Sequence, residues 1–336
     1  MKPIPELPDD SALPALAAIR GAGLSATFPT LGLDNQPVQF LMRRYHPGSR
    51  AAIEVRVGSR RFALKACAED PAPEAELHQA LAGAGLAGDS GPRVPPLLAW
   101  DRDLRVLVIG WLEGPSAAEL IRAGQGQRAG ELVAAWLQRA ASLSVRLGPP
   151  LGVERVQLRA RRRPAVLGAA DPTLGTAATA LVARLARTQP VEGPPHLLNG
   201  GFYADHVLEL GDGPGVIDWG RFGQGPLELD AGIFLASIGR FALRPNTPAG
   251  EVARAEQSLL AGTRGLLDQR AITWHRAAEL LRCAKREVTS NRDDRLARAR
   301  ALLGEAARLA DGTGLGPKSQ IPNPKLQRAE GRSGRV

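Results

Sequence analysis

Hydrophobic and polar positions change their spacing about a third of the way along the chain. Residues 38 to 66 alternate or form short apolar runs, which the turn signals HPGS and VGSR divide into three predicted antiparallel strands. A helix is predicted over 72 to 83, and the runs LLAW and RVLVIGW predict two more strands. A short helix over 11 to 21, closed by Gly21, precedes them.

From residue 114 onward the apolar residues recur with helical spacing. Ser116 and Glu119 form a predicted capping box, and Leu132, Trp136, Ala140, Leu143 and Leu147 form one apolar stripe. Further helices are predicted over 176 to 187, 250 to 268, 271 to 289 and 293 to 310. The short strands HVLEL and GVIDW interrupt this helical half. The succession predicts a two-lobed α+β protein: an N-lobe over 1–110, a helical C-lobe over 111–312 and a tail over 313–336.

Composition narrows the class of protein. A chain of 336 residues can bury a core in each of two lobes, and its longest apolar run, VLVIGW, is too short to cross a membrane. The N-terminus has no apolar segment typical of a secretion signal. Cys67 and Cys283 stand far apart and are expected to be buried free thiols. We therefore expect a soluble cytoplasmic protein with no membrane contact.

The positive charge is unevenly distributed. The chain has a formal net charge of +9, of which the tail over 313–336 carries five basic residues against one acidic residue. We expect this Gly- and Pro-rich tail to be disordered. The run RARRRP at 159 to 164 leaves two interpretations open: a solvated face, or a contact with a phosphate or another polyanion. Only 4% of residues are aromatic, so a nucleic-acid partner is not expected.

The order of several motifs resembles the aminoglycoside phosphotransferase and choline-kinase-like family over residues 38 to 310. The motifs are RRYHPGSRAAIEV with RFALK, LVIGWLEG, NGGFYADHVLEL, GVIDWGRFGQGPLELDAGIFLASI and WHRAAELLRCA. The resemblance implies the two-lobed protein-kinase-like fold, with a small antiparallel sheet in the N-lobe and a mostly helical C-lobe. It also implies ATP and Mg²⁺ as cofactors.

The resemblance assigns roles to residues of the cleft between the lobes. Lys65 would contact the nucleotide phosphates and pair with Glu74 or Glu76, of which Glu74 has the family-like spacing. Asp218, in Asp-Trp-Gly, would bind the metal ion. The hinge would offer backbone groups to adenine from Ile109, Gly110, Trp111 and Leu112. Asp230 is expected to accept hydrogen bonds from the catalytic-loop backbone.

The catalytic loop departs from the family pattern at three positions. Family members read His-Gly-Asp, then four residues and Asn, whereas this chain has Asn199-Gly200-Gly201 and then His206. Gly201 cannot orient a hydroxyl group or accept its proton, and Asn199 is expected to remove a side chain that organises the loop. His206 is a weak ligand for Mg²⁺, which prefers oxygen. Asp205 is a weak substitute because moving it to position 201 would shift HVLEL by four residues out of its strand register.

Two functions follow from this loop. The first is a pseudokinase-like protein that binds nucleotide but is catalytically impaired. The alternative is an active ATP-dependent phosphotransferase acting on a small-molecule hydroxyl group. The basic C-lobe favours an anionic or neutral ligand over a polycationic aminoglycoside. Whether the partner is a small molecule or a protein is left open.

Overall fold

In the computed structural model, residues 6–33, 36–243, 247–248 and 250–313 are described. The N-lobe contains one antiparallel sheet in the order β1-β2-β3-β5-β4. Its strands are β1 Val38–His46, β2 Arg50–Val57, β3 Arg60–Cys67, β4 Leu97–Asp101 and β5 Val106–Gly110. Gly48 and Gly58 adopt positive φ angles of 70° and 56° in the two tight turns that the sequence predicted. The five predicted strands are all present.

The N-terminal segment covers one face of this sheet. Helices α1 Pro14–Ala22 and α2 Leu24–Thr27, with the 3-10 turn Pro29–Leu31, pack on the buried side chains of Ile53, Val55 and Leu64. The predicted first helix therefore begins and ends later than expected. It starts at a proline, which suits the first helical position, and Gly23 with φ of 80° ends it instead of Gly21.

The opposite face of the sheet looks toward the C-lobe. Ala52 pairs with Lys65, and Glu54 pairs with Ala63, so these four side chains share one face because side chains alternate along a strand. Helix α3 Ala72–Gly83, predicted with the same bounds, lies next to this face. The sheet therefore holds Lys65 at the boundary between the lobes.

The C-lobe is mostly helical. Its helices are α4 Ala117–Arg122, α5 Gly126–Ala141, α6 Val153–Ala160, α7 Arg163–Ala170, α8 Pro172–Arg187, α9 Leu227–Ala242, α10 Glu251–Gly262, α11 Gln269–Val288 and α12 Arg295–Thr313. The capping box predicted at Ser116 is present, with Glu119 bonded back to it. Helix α5 ends at Ala141, so Leu143 and Leu147 follow the helix and extend the apolar stripe from a loop. Helix α10 ends at Gly262, six residues before its predicted end.

Two short antiparallel pairs of strands lie in the segment between α8 and α9. Strand β6 His196–Leu198 pairs with β9 Gly223–Gly225, and β7 Val207–Glu209 pairs with β8 Pro214–Val216. The loop 199–206 connects β6 to β7, and the loop 217–222 connects β8 to β9. Both loops therefore run from one strand pair to the other and lie side by side. Among the described residues, no helix is long and apolar enough to span a bilayer.

Two other expectations concern the cysteines and the tail. Both cysteines are free thiols; Cys283 is buried, but Cys67 is only half-buried because it ends β3 at the edge of the lobe. The basic tail, from residue 314 to 336, lies outside the described residues.

Candidate active site

A buried carboxylate fixes the backbone of the 199–206 loop. Asp230, in the first turn of α9, accepts hydrogen bonds from the backbone N–H groups of Asn199 at 2.7 Å and Gly200 at 3.0 Å. Burial raises the pKa of the Asp230 carboxyl to about 7, although the two N–H donors oppose the shift. Asp230 therefore stands in the position and contacts that the sequence predicted.

Asn199 organises the loop, contrary to expectation. Its side-chain oxygen accepts the Gly201 N–H at 3.1 Å, and its amide nitrogen donates to the carbonyls of Ile217 and Asp218, both at 3.3 Å. The amide thus ties the 199–206 loop to the loop that carries Asp218. An amide can donate and accept at once, so asparagine, in place of the histidine that the resemblance implied, still holds the loop by hydrogen bonds.

Lys65, Glu74 and Asp218 meet between the lobes. Lys65 Nζ donates to Glu74 Oε1 at 2.6 Å and lies 3.5 Å from Asp218 Oδ1. Burial would lower the pKa of Lys65, but the charges of Glu74 and Asp218 outweigh it and raise the pKa above its ordinary value. Lys65 is therefore charged. Glu76, the other candidate partner, is exposed and lines a pocket instead.

The backbone at Asp218 turns its carboxylate into the cleft. Asp218 has a φ of 58°, a left-handed conformation that non-glycine residues adopt at a cost of about 1–3 kcal/mol. The next residue anchors the turn: Trp219 is buried, donates through Nε1 to the Val216 carbonyl at 3.0 Å and packs edge-on against Trp136. These contacts offset the strain and hold Asp218 opposite Lys65.

His206 faces Asp218 with an unprotonated nitrogen. Its Nδ1 lies 2.8 Å from the Gly201 carbonyl oxygen, which can only accept, so Nδ1 carries the proton. Burial lowers the pKa of His206 despite the nearby Asp218 carboxylate, which keeps the ring neutral. The Nε2 lone pair then lies 3.6 Å from Asp218 Oδ2. A divalent cation held by these two groups would need its remaining ligands from other sources, such as phosphate oxygens and water.

Gly201 leaves space at the position where the resemblance implied a carboxylate. A Cβ atom there would lie 3.5 Å from Arg221 Cδ, 3.6 Å from Asn199 Oδ1 and 3.8 Å from the Tyr203 ring, which are ordinary contacts. Asp205 does not fill this space. Its side chain is 60% exposed, and its Oδ1 lies 3.9 Å from Arg122 Nη2 on the surface.

The hinge joins the sheet to the C-lobe. The Gly110 N–H is bonded to the Pro96 carbonyl at 2.8 Å, whereas the Leu112 N–H donates to no acceptor within the described residues. The Leu112 N–H is thus the hinge donor available to a ligand. The Trp111 ring is covered by the guanidinium groups of Arg61, 4.1 Å from its centroid, and Arg43, at 5.5 Å.

A charged cluster on the cleft face of the sheet was not predicted. Glu54 is fully buried and accepts hydrogen bonds from Arg43, Arg56 and Arg61, which come from three adjacent strands. Burial would raise the pKa of Glu54, but these bonds outweigh it and hold the pKa at about 2. The cleft face of the sheet near the hinge therefore contains a buried carboxylate whose charge is balanced by arginines. In the sequence, only the alternating Glu54 and Arg56 of RAAIEVRV indicated that charged side chains share this face of the sheet.

A pocket of about 820 Å³ opens beside these loops. Its lining includes Gly200 and Tyr203 from the 199–206 loop, Gly220 just after Asp218, and residues of α6, α7 and α11. The arginine run contributes Arg159, Arg162 and Arg163 to this lining, while Arg161 is outside it. The pocket is large enough for a drug-sized ligand.

Comparisons with known proteins bear on the family and the fold. Residues 43–280 match the model of the phosphotransferase enzyme family. The fold is similar to choline kinase LicA from Streptococcus pneumoniae (TM-score 0.59, 11% identity, covering 85% of this chain and 98% of that one). It is also similar to aminoglycoside-3'-phosphotransferase of type VIII (0.54, 20%, 80% and 98%). A third similar structure is a spectinomycin phosphotransferase in complex with ADP and spectinomycin (0.53, 13%, 84% and 94%).

No curated protein matches the sequence at a significant level. The family match covers well over half of the chain, and the similar structures extend across both lobes. This chain therefore belongs to the phosphotransferase enzyme family and has its protein-kinase-like fold.

Proposed function

We propose that the protein binds ATP with a divalent cation in the cleft between its lobes, but transfers the terminal phosphate very slowly. One observation carries this proposal: Lys65, Glu74 and Asp218 are assembled as a charged cluster, while Gly201 beside them has no side chain. The spectinomycin phosphotransferase of similar fold is described in complex with ADP. Nucleotide binding and activation of the acceptor use different groups in phosphoryl transfer, so a chain can lose the second and keep the first.

The chain's own residues have distinct tasks in nucleotide binding. Lys65 would contact the phosphates, and Glu74 holds its amine in place at 2.6 Å. Asp218 and His206 would hold the cation, which on binding would neutralise charge on the phosphate oxygens. The free N–H of Leu112 would donate to the base. Each group is already oriented by hydrogen bonds or packing, so binding needs little reorganisation.

The missing step is orientation and deprotonation of the acceptor. A general base contributes about 10²–10⁴-fold to a rate, and Gly201 contributes none. Asp205 points to the surface, where Arg122 is its nearest cation. The proposed activity is therefore that of a slow or silent kinase.

Titration calorimetry with ATP and Mg²⁺ tests nucleotide binding. Losing the charged contact of Lys65 is expected to cost about 1.5–3 kcal/mol, which weakens affinity about 10- to 100-fold. Lys65→Met should show this loss, and Glu74→Gln should show part of it because the amine is no longer held. Glu76→Gln, two residues along the same helix, is the matched control and should bind like the wild type. A wild type that binds no ATP, or a Lys65→Met variant of equal affinity, contradicts the proposal.

An active phosphotransferase acting on a small-molecule hydroxyl group is the second candidate. The pocket of about 820 Å³ favours it, because an acceptor could sit beside Gly200 and Gly220. Glu76 is an exposed carboxylate in its lining that has no ion-pair partner within the described residues. Phosphate transfer that is fast in the wild type and lost in Glu76→Gln or Asp205→Ala would replace the first candidate with this one.

A further inference from the structure

The pocket beside the 199–206 loop is bounded on one side by arginines of α6 and α7. Arg155 and Arg159 come from α6, whereas Arg162 and Arg163 stand where α7 begins. Arg163 is tied to the pocket wall, because its Nη1 donates to the Ala278 carbonyl of α11 at 2.8 Å. Arg159 and Arg162 have no acidic partner among the residues that the structure describes. They are free to contact a ligand.

A second group of cations faces the first. It consists of Arg221, Arg282, Lys285 and Arg286. Arg282 is bonded to Glu279 at 2.5 Å and stacks over the Tyr203 ring, whereas Arg221 donates to the Tyr203 hydroxyl at 3.3 Å. Within the described ranges, Arg221, Lys285 and Arg286 have no carboxylate partner. This side of the pocket also has unpaired positive charge.

The pocket as a whole has an excess of positive charge. Eight of its lining side chains are cationic, against the two carboxylates of Glu76 and Glu279. Partial burial, followed by repulsion from Arg155 and Arg221, lowers the pKa of Arg159. Burial and the charge of Arg282 do the same to Arg286. Like charges gathered in a concave site are costly until an anion enters.

We propose that this pocket binds a small molecule with at least two anionic groups, phosphates or carboxylates, that bridge the α6–α7 arginines and the cations of α11 and Arg221. Arginine suits such groups because its guanidinium makes paired, charge-assisted hydrogen bonds with them. A polycation is disfavoured by the same field. The proposal goes beyond the proposed function, since it requires neither nucleotide binding nor phosphate transfer.

Calorimetry on the full chain with two probes, inorganic pyrophosphate and citrate, tests this site. At least one of the two probes should bind, and the one that binds more tightly shows whether the site prefers phosphate or carboxylate groups. The polycation spermine should not bind. The double variant Arg159→Gln/Arg162→Gln should weaken binding about tenfold or more, because two charge-assisted contacts are lost. Arg161→Gln removes the same charge from the same run but outside the pocket, and it should bind like the wild type.

A Lys65→Met variant separates this site from the nucleotide site, to which pyrophosphate also has chemical affinity. Pocket binding should survive in Lys65→Met even if ATP binding is lost. The proposal is overturned if neither anion binds, or if spermine binds as tightly as the anions. It is also overturned if pyrophosphate and citrate affinity falls in Lys65→Met and not in the double arginine variant. Arg159 and Arg162 are exposed, so melting curves should show that the double variant is folded.

Discussion

Returning a carboxylate to position 201 probes the catalytic deficit directly. A side chain fits there: the Cβ of Gly201→Asp would have its nearest neighbours at 3.5, 3.6 and 3.8 Å, and Gly201 does not have a positive φ. The preceding glycine is different. At Gly200, with φ of 67°, a Cβ would lie 2.2 Å from the Arg221 carbonyl oxygen, so Gly200→Asp should disrupt the loop.

The structure also bounds the size of the gain. A general base is worth about 10²–10⁴-fold, which corresponds to about 2.7–5.5 kcal/mol of activation free energy. The atom nearest to the new Cβ is Cδ of Arg221, so the guanidinium would lie close to the new carboxylate and reduce its basicity. We therefore expect a gain near the lower end, about 10²-fold. Adding His206→Asn, which restores an oxygen ligand for Mg²⁺, should increase it further.

Phosphate release from ATP at saturating Mg²⁺ is the assay. Gly201→Asn is the matched control, since it has the same size but cannot accept the proton. Gly201→Asp should accelerate release while Gly201→Asn stays at the wild-type background, with ATP affinity similar in all three proteins. An equal gain in both variants would refute the argument. A Gly201→Asp variant that binds ATP but releases phosphate no faster than the wild type would also refute it.

Three further outcomes are expected. Glu54 has a pKa of about 2 in the folded protein, against an ordinary value of 4.5. Its ionised carboxylate therefore stabilises the folded state fully above pH 4.5, and this contribution is lost as the pH falls toward 2. Urea unfolding of Glu54→Gln should show a free energy of unfolding that falls by about 2–3 kcal/mol less between these pH values than in the wild type. The same fall in both proteins would contradict the low pKa assigned to Glu54. In calorimetry, Mn²⁺ should strengthen ATP binding more than Mg²⁺ does, because an imidazole stands at position 206, and His206→Asn should remove this preference. Ser116→Ala should cost about 1 kcal/mol by removing the cap of α4, which a melting curve would detect as a lower Tm; an unchanged Tm would mean that the cap contributes nothing.

Local patterns were sufficient to predict most elements of the fold. Alternation with two turns predicted β1 to β3, and helical spacing predicted α3 with its observed bounds. Helix ends were less predictable because caps decide them: Gly23 ends α1, and Asp171 with Pro172 begins α8 earlier than the apolar spacing indicated.

The candidate site was only partly accessible from the sequence. Motif order predicted Lys65 and Asp218 as site candidates, but the choice between Glu74 and Glu76 depended on which face of α3 turns toward the sheet. The cluster around Glu54 brings together arginines from three strands, a long-range arrangement that no local window contains. The bonds of Asn199 to the Asp218 loop likewise span 18 and 19 residues. Such contacts are set by tertiary packing rather than by local sequence.

A single-turnover experiment tests the central claim most directly. With the protein in excess over ATP and Mg²⁺ present, the bound nucleotide is recovered at intervals and separated into ATP and ADP. No hydroxyl substrate is present, so water is the phosphoryl acceptor, and the reference is Gly201→Asp rather than the about 1–100 s⁻¹ of kinases with a bound acceptor. The account predicts that the wild type binds the nucleotide and converts it to ADP about 10²-fold more slowly than Gly201→Asp does. Conversion by the wild type as fast as by Gly201→Asp would contradict it, because the chain would then carry out phosphate transfer equally well without an acid at position 201.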